Sequence, residues 1–211
     1  AVKGENVATL LLAMGQARTS VIIEMAYART PLEREVFPQT QAFVEGPLAA
    51  YASDRDRMDR PGTSRLGADL KFGTLSVRGV WQATGGSAAA FRNELLWREF
   101  GHHLLWQWPE LLHAPFRPGF RGFPWREDAD GWAAWTEGRT GYPVVDAAAR
   151  QLLQEGFVHN RARMVAASFL TKHLLIDFRR GEAHYLRWLT DGDWALNDAG
   201  WQWSANRKSV V

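Results

Sequence analysis

Phe91, Glu94, Trp97 and Arg98 fall at i, i+3, i+6 and i+7, which puts two aromatic rings, a carboxylate and a guanidinium on one helix face. Such a face is a poor apolar stripe and would suit a pocket holding a ring system beside a phosphate. The plainer reading is a helix half buried by its aromatics, with Glu94 and Arg98 paired at i,i+4. On this stripe alone the plainer reading is preferred. The run His159-Asn160-Arg161-Ala162-Arg163-Met164 sets two arginines at a helix start, where free backbone N–H groups and the helix dipole attract anions. Phosphate binding and a solvated, salt-bridged first turn stand even there. Asp191-Gly192-Asp193-Trp194-Ala195-Leu196-Asn197 brings two carboxylates and an amide into one loop. The remaining ligands of a calcium loop are missing, so no metal is expected. The group could instead hydrogen-bond the edge of a heterocycle. His102 and His103 are neighbours on a helix, point apart, and read as structural or surface residues.

Helices must position these groups. The clearest covers about 87–106, closed by Pro109. Another starts after Pro143, includes 146–155 and stops at Gly156. Asn160 can cap a third, reaching about Ile176. Residues 181–190 add a short one, and a loop rich in Gly, Asp and Asn comes after it. Upstream, 43–52 sets apolar residues on one side, Pro61-Gly62 makes a turn, and Thr74 or Ser76 can cap a short helix. Residues 7–17 read as a short helix and 19–26 as a strand or helix, with Pro31 and Pro38 breaking the chain beyond them. Few segments alternate with a period of two, so the fold is expected to be all-α with long irregular connections. Residues 1–40 are given no function, and 41–211 form the helical domain.

Apolar residues make up 46% of the 211, enough for a real core. No apolar run reaches the roughly 18 residues that cross a bilayer, and the first residues lack a signal-peptide layout. The chain reads as cytoplasmic, with no membrane contact. The absence of cysteine excludes disulfides, thiolate zinc sites and a Cys nucleophile. The formal charge is only +2, but Arg far outnumbers Lys, and Arg forks onto phosphate through two parallel bonds. A phosphate-bearing partner and simple codon bias explain that equally well. Eleven tryptophans are mostly core by default, though clustered indoles can also stack on bases or pass electrons. There is no Gly-x-Ser-x-Gly, P-loop or dinucleotide glycine fingerprint.

Taken together, several long runs resemble the catalytic domain of the photolyase/cryptochrome superfamily. They are Gly62-Thr63-Ser64-Arg65-Leu66, Asn93-Glu94-Leu95-Leu96-Trp97-Arg98-Glu99-Phe100, and Gly138-Arg139-Thr140-Gly141-Tyr142-Pro143-Val144-Val145-Asp146-Ala147-Ala148. His159-Asn160-Arg161-Ala162-Arg163-Met164, Asp191-Gly192-Asp193 and Trp201-Gln202-Trp203 complete the set, in family order, over about residues 43–205. The resemblance implies a multi-helical FAD-binding domain, here lacking the N-terminal α/β antenna domain and incomplete at the C-terminus. Tyr51, Thr63, Ser64, Arg65, Leu66 and Gly67 would grip the phosphate and ribose side of FAD, with Arg98 near its phosphates. Asn160, Arg163, Asp191, Gly192, Asp193 and Asn197 would line the isoalloxazine ring, Asn197 near its N5.

The resemblance also implies light-dependent repair of cyclobutane pyrimidine dimers in DNA by a monomer. Reduced FAD would pass an electron to a flipped-out lesion faced by Glu94, Trp97 and Met164. Glu94, held protonated by burial, would hydrogen-bond the dimer as charge develops. Arg55, Arg161 and the turn carrying Asn160 and Arg163 would touch DNA, with Glu94, Trp97 and Arg98 at the same surface. Met164 and Asn197 match the cyclobutane-dimer class; the alternatives are a cryptochrome-type photoreceptor or an inactive fragment. Some positions depart from the pattern: Gly67 replaces a usual Ser, Phe91 and Phe157 usual Trps, and Ala149 a usual Met. Relatives carry electrons to oxidised flavin along three tryptophans, matched here by Trp201, Phe178 and Trp125. Because a phenyl ring resists oxidation, photoreduction is expected to be slow unless electrons detour through Trp188, Trp194 or Trp203.

Overall fold

The computed structural model describes residues 31–86 and 88–206, so the segments read at 7–17 and 19–26 lie outside the described residues. Every regular element among those described is helical. The residues group into two compact units, with the boundary after Gly101.

The first unit begins with α1, Pro31–Glu45, which carries Pro38 inside it. This corrects the expectation that Pro31 and Pro38 break the chain. Pro31 is the first helical residue, where no N–H partner is needed. Pro38 gives up one backbone bond, but its fixed φ suits a helix and the residue is exposed to solvent. Two short helices come next: a 3-10 turn at Pro47–Ala50 and α2, Tyr51–Asp54. Gly62 closes in behind them, and a Cβ there would lie 2.7 Å from the Asp54 carbonyl oxygen. The helix α3, Gly67–Phe72, went unread, because the Thr63 to Gly67 run looks like a turn alone. Ser76 does cap α4, Val77–Ala83, its hydroxyl accepting from the Gly79 N–H at 3.0 Å. Phe43, Tyr51, Leu66, Leu75, Val80, Phe91 and Leu95 form the core of this unit.

The boundary between units falls within α5, Ala89–Gln107. After two 3-10 turns, Pro109–Leu112 and Pro118–Phe120, the described residues of the second unit build five α-helices, each entered by a local device. Asp128 caps α6, Ala129–Glu137, through the Gly131 N–H at 2.8 Å, and Gly138 ends it with left-handed backbone. Asp146, in the first turn of α7, Pro143–Glu155, accepts from Thr140 N–H (2.8 Å), Thr140 Oγ1 (2.6 Å) and Gly141 N–H (3.0 Å). These bonds fold the Gly138 to Asp146 motif onto the helix it precedes. His159, rather than Asn160, caps α8, Asn160–Lys172; its Nδ1 accepts from the Arg161 N–H at 3.1 Å. This helix stops four residues short of the expected Ile176. Leu175 turns left-handed (φ 55°) and Ile176 bonds back to the Leu170 carbonyl at 3.1 Å. The apolar pattern misled because Ile176 is still buried.

Asp177 caps α9, Phe178–Trp188, which therefore starts earlier than residue 181. The loop expected after it is mostly a further helix, α10, Trp194–Asn206. Asp193 begins it, its Oδ1 accepting from the Leu196 N–H at 3.0 Å. Residues that favour loops favour caps for the same reason. Helices α7, α8, α9 and α10 pack around Trp135, Leu152, Leu170, Ile176, Phe178, Tyr185 and Trp201.

Candidate functional site

In the first unit, Glu94 stands midway along α5. It was expected to be deeply buried or paired with Arg98. It is neither: half-buried, its carboxylate accepts from Arg55 Nη1 at 2.6 Å. Arg98 instead bonds Glu99 at 2.9 Å and the Leu70 carbonyl at 3.3 Å. Helix spacing could not see Arg55, 39 positions away. Trp97 is 40% exposed and braced edge-on by Phe100 (5.6 Å). Tyr51 packs edge-on against Phe43 and Phe91, and burial, then the Glu94 charge, push its hydroxyl pKa up to about 12. Leu66 is fully in the core of this unit, at 1% exposed. Arg65, in the turn between Ser64 and Leu66, holds left-handed backbone at φ 52°.

In the second unit, the structure joins residues that the sequence kept apart. Arg163 forks onto Asp191, Nη2 reaching its two oxygens at 2.9 and 2.8 Å, while its Nε donates to the Val158 carbonyl at 2.7 Å. His102 meets Asp193 Oδ2 at 3.1 Å. His102, read as structural or surface, makes this contact within the second unit, for which a separation of 91 positions left no signal. Asn197 sits in the first turn of α10 and donates its Nδ2 to the Glu182 carbonyl at 3.0 Å. Its Oδ1, which that bond does not use, keeps its acceptor capacity. Gly192 fits where a Cβ would lie 3.1 Å from the Leu189 carbonyl. Met164 and Arg161 line an open groove of about 450 Å³ with Tyr142, Val144, Val165 and Phe169. Asn160 is exposed at the same helix start.

Two acidic side chains behind Asn197 went unnoticed in the sequence. Glu182 is pushed from 4.5 to about 7, chiefly by burial and then by the Asp198 charge. Asp198, 3% exposed, is pushed from 3.8 to about 6 by burial, although Gln202 Nε2 donates to it at 2.9 Å. A carboxyl whose folded value is raised keeps its proton where the unfolded chain releases it. Stability therefore falls as pH rises from about 4.5 to about 7 and is regained on acidification. Melting temperatures of Glu182→Gln are expected to show a flatter slope across that window than the unmodified chain. An identical slope would mean Glu182 is solvated.

As a set, these groups offer an amide oxygen, a guanidinium and two carboxylates at one end of α10 and the start of α8. That pattern suits a heterocycle edge presenting both N–H and C=O groups. Among the described residues, no three His, Asp or Glu side chains group to hold a metal ion, and no helix is long and apolar enough to cross a membrane.

Residues 91–210 match a family described as the FAD binding domain of DNA photolyase. A deoxyribodipyrimidine photo-lyase from Agrobacterium fabrum is 45% identical over 184 residues, covering 83% of this chain and 38% of that protein. The crystal structure of a bacterial class III photolyase from Agrobacterium tumefaciens superposes with a TM-score of 0.80 at 45% identity, covering 84% of this chain and 39% of that one. A Synechocystis cryptochrome gives 0.76 at 32% identity, covering 82% and 38%. The chain thus spans less than half the length of these relatives.

Proposed function

Since the chain belongs to the DNA photolyase family, whose FAD-binding domain it carries, we propose that it binds FAD and takes part in light-dependent repair of cyclobutane pyrimidine dimers in DNA. The observation that carries this is the Arg163, Asp191 and Asn197 arrangement at the meeting of α8 and α10. FAD, bound in its reduced form and excited by light, supplies the electron that opens the dimer. The protein's part is to hold, orient and exclude. Asn197 Oδ1 is the group that would accept the N–H a reduced isoalloxazine ring presents. Arg163, pinned by Asp191, keeps a positive charge fixed beside the ring without needing to reorganise. Tyr51, Thr63, Ser64, Arg65, Leu66, Gly67 and Arg98 are the proposed contacts on the phosphate side.

Extruding a dimer costs a few kcal/mol, least at a damaged and poorly stacked step. Trp97, 40% exposed, would return part of that, since base–indole stacking is worth about 1–3 kcal/mol. Glu94, held by Arg55, is the proposed acceptor or donor to the lesion's polar edge. The proposed partner is UV-damaged DNA, met in the cytoplasm by a single copy of the chain.

Dimer-containing oligonucleotides should bind more tightly than intact ones. Affinity should fall steeply with salt, as Arg55, Arg161 and Arg163 displace counterions. With reduced FAD and blue light, dimers should disappear, and Glu94→Ala should lower repair yield more than binding. Equal binding to damaged and intact DNA with no dimer loss would favour a photoreceptor.

A further inference from the structure

Between Glu110 and Glu127 the chain carries three arginines, a histidine and no carboxylate. The arginines come as aromatic–arginine pairs, Phe116-Arg117, Phe120-Arg121 and Trp125-Arg126, spaced by Pro-Gly and by Gly-Phe-Pro. The 3-10 turn Pro118–Phe120 sits among them, with extended backbone at Arg117 before it and Arg121 after it. Arg117, Arg121 and Arg126 are all exposed. Phe116 is 55% exposed and meets Trp108, itself 43% exposed, edge-on at 5.9 Å. Phe120, Phe123 and Trp125 are half-buried because they lean on one another. Phe120 stacks on Phe123 at 5.9 Å and on Trp125 at 6.4 Å, and Phe123 lies 4.4 Å from Trp125.

The segment is fastened to the second unit at two points. The Phe116 N–H donates to Gln202 Oε1 at 2.6 Å, and the Arg126 N–H donates to the Leu175 carbonyl at 2.7 Å. Trp125 closes edge-on against the buried Phe178 at 6.3 Å. That anchor brings in the start of α9, where Arg179 lies 5.5 Å over Phe178 and Arg180 lies 4.5 Å over Trp132. Of the neighbouring acids, Glu127 pairs with Arg180 at 3.4 Å, and Asp128 and Asp177 cap helices. Glu110 and Asp130 flank the segment in sequence and are exposed. Leu175 follows the last turn of α8, whereas Arg161 lies in its first. The 13 residues of that helix set the two ends about 20 Å apart.

We propose that residues 116–126, with Arg179 and Arg180 beside them, form a second nucleic-acid surface that holds unpaired single-stranded DNA. It lies at the opposite end of α8 from Arg161, the residue proposed to meet damaged DNA. From Ala114 to Arg126 every polar side chain is a donor, and none can accept. A partner must therefore supply acceptors, and phosphate oxygens suit the guanidinium fork. The rings between the arginines offer stacking to any base, because every base has a π-face. Stacking of this kind needs an unpaired base, since a duplex already covers both faces. With no acceptor to greet a 2′-hydroxyl, the segment gives RNA no advantage. Binding is thus indifferent to sequence, and it depends on neither flavin nor light.

The test uses a dimer-free oligo-dT of about 16 nucleotides, the upper range for such sites, read by fluorescence anisotropy in the dark. Combining Arg117→Ala, Arg121→Ala and Arg126→Ala should flatten the plot of log affinity against log salt by about 2, at about 0.7 per phosphate contact. Phe116→Ala should weaken binding about tenfold through one lost stack, at an unchanged salt slope. Urea midpoints of these variants should match the unmodified chain, since the side chains are exposed. Arg161→Ala should leave oligo-dT affinity nearly unchanged, and the triple variant should still prefer dimer-containing duplex over intact duplex. Loss in Arg161→Ala with none in the triple variant would put the strand on the repair face and overturn the proposal. Oligoglutamate of equal charge competing as well as oligo-dT, or full affinity in Phe116→Ala, would leave only a cationic patch and overturn it too. Oligo-U binding tenfold tighter than oligo-dT would overturn DNA as the occupant.

Discussion

Gly181→Ala is expected to destabilise the second unit by about 2 kcal/mol, against the usual direction of such a change. Alanine in a helix interior normally gains about 1 kcal/mol over glycine. Here an added Cβ would lie 2.2 and 2.5 Å from the Trp201 ring and 2.7 Å from Leu170 Cδ2. A rigid indole that is itself buried against Trp135 and Tyr185 has nowhere to swing. Overpacking of this kind costs about 1–3 kcal/mol and occasionally more, so it outweighs propensity. Urea unfolding should show the midpoint falling, and near-ultraviolet circular dichroism should change as Trp201 is displaced. A stabilised Gly181→Ala protein would mean that α9 and α10 lie farther apart than these distances.

Arg163→Ala should cost more, about 3 kcal/mol, because it removes three donated bonds and leaves Asp191 without its fork. Asp191 is only 16% exposed, so water replaces the guanidinium poorly. Arg163→Lys should recover little, since an ammonium cannot reach both carboxylate oxygens and the Val158 carbonyl together. Combining Arg163→Ala with Asp191→Ala should cost less than the sum of the two. A coupling of about 1–2 kcal/mol in that cycle is expected. Additive single variants would show the pair to be solvated. Retained FAD should fall with the Arg163 variants even at temperatures where the chain stays folded.

The two halves of the molecule were unequally legible. Helix α5 and helix α7 were readable, because an apolar period of 3.6 lies between clear stops at Pro109 and Gly156. Helix α10 was not, because Asp193 and Asn197 look like loop residues when their partners are unseen. Asp193 is a cap, and Asn197 spends its amide on the Glu182 carbonyl. Helix α1 was hidden by two prolines, one harmless at a helix start and one tolerated on an exposed face. The motif runs put Arg163 and Asp191 in one expected site, but their fork joins positions 28 apart, and no local pattern encodes it. The ring contacts of Trp135 with Trp132 and Trp201 were the least legible part. Trp132, Trp135 and Trp201 lie on two helices, and eleven tryptophans offer many other pairings.

Arg65 holds left-handed backbone that glycine adopts freely, at a cost of about 1–2 kcal/mol for a side chain with a Cβ. Selection in the laboratory should expose that cost. A library varied at this position and sorted only for heat tolerance should fill with glycine and asparagine. The same library sorted for capture of flavin from dilute solution should return arginine, and the two winners should perform poorly in each other's screen.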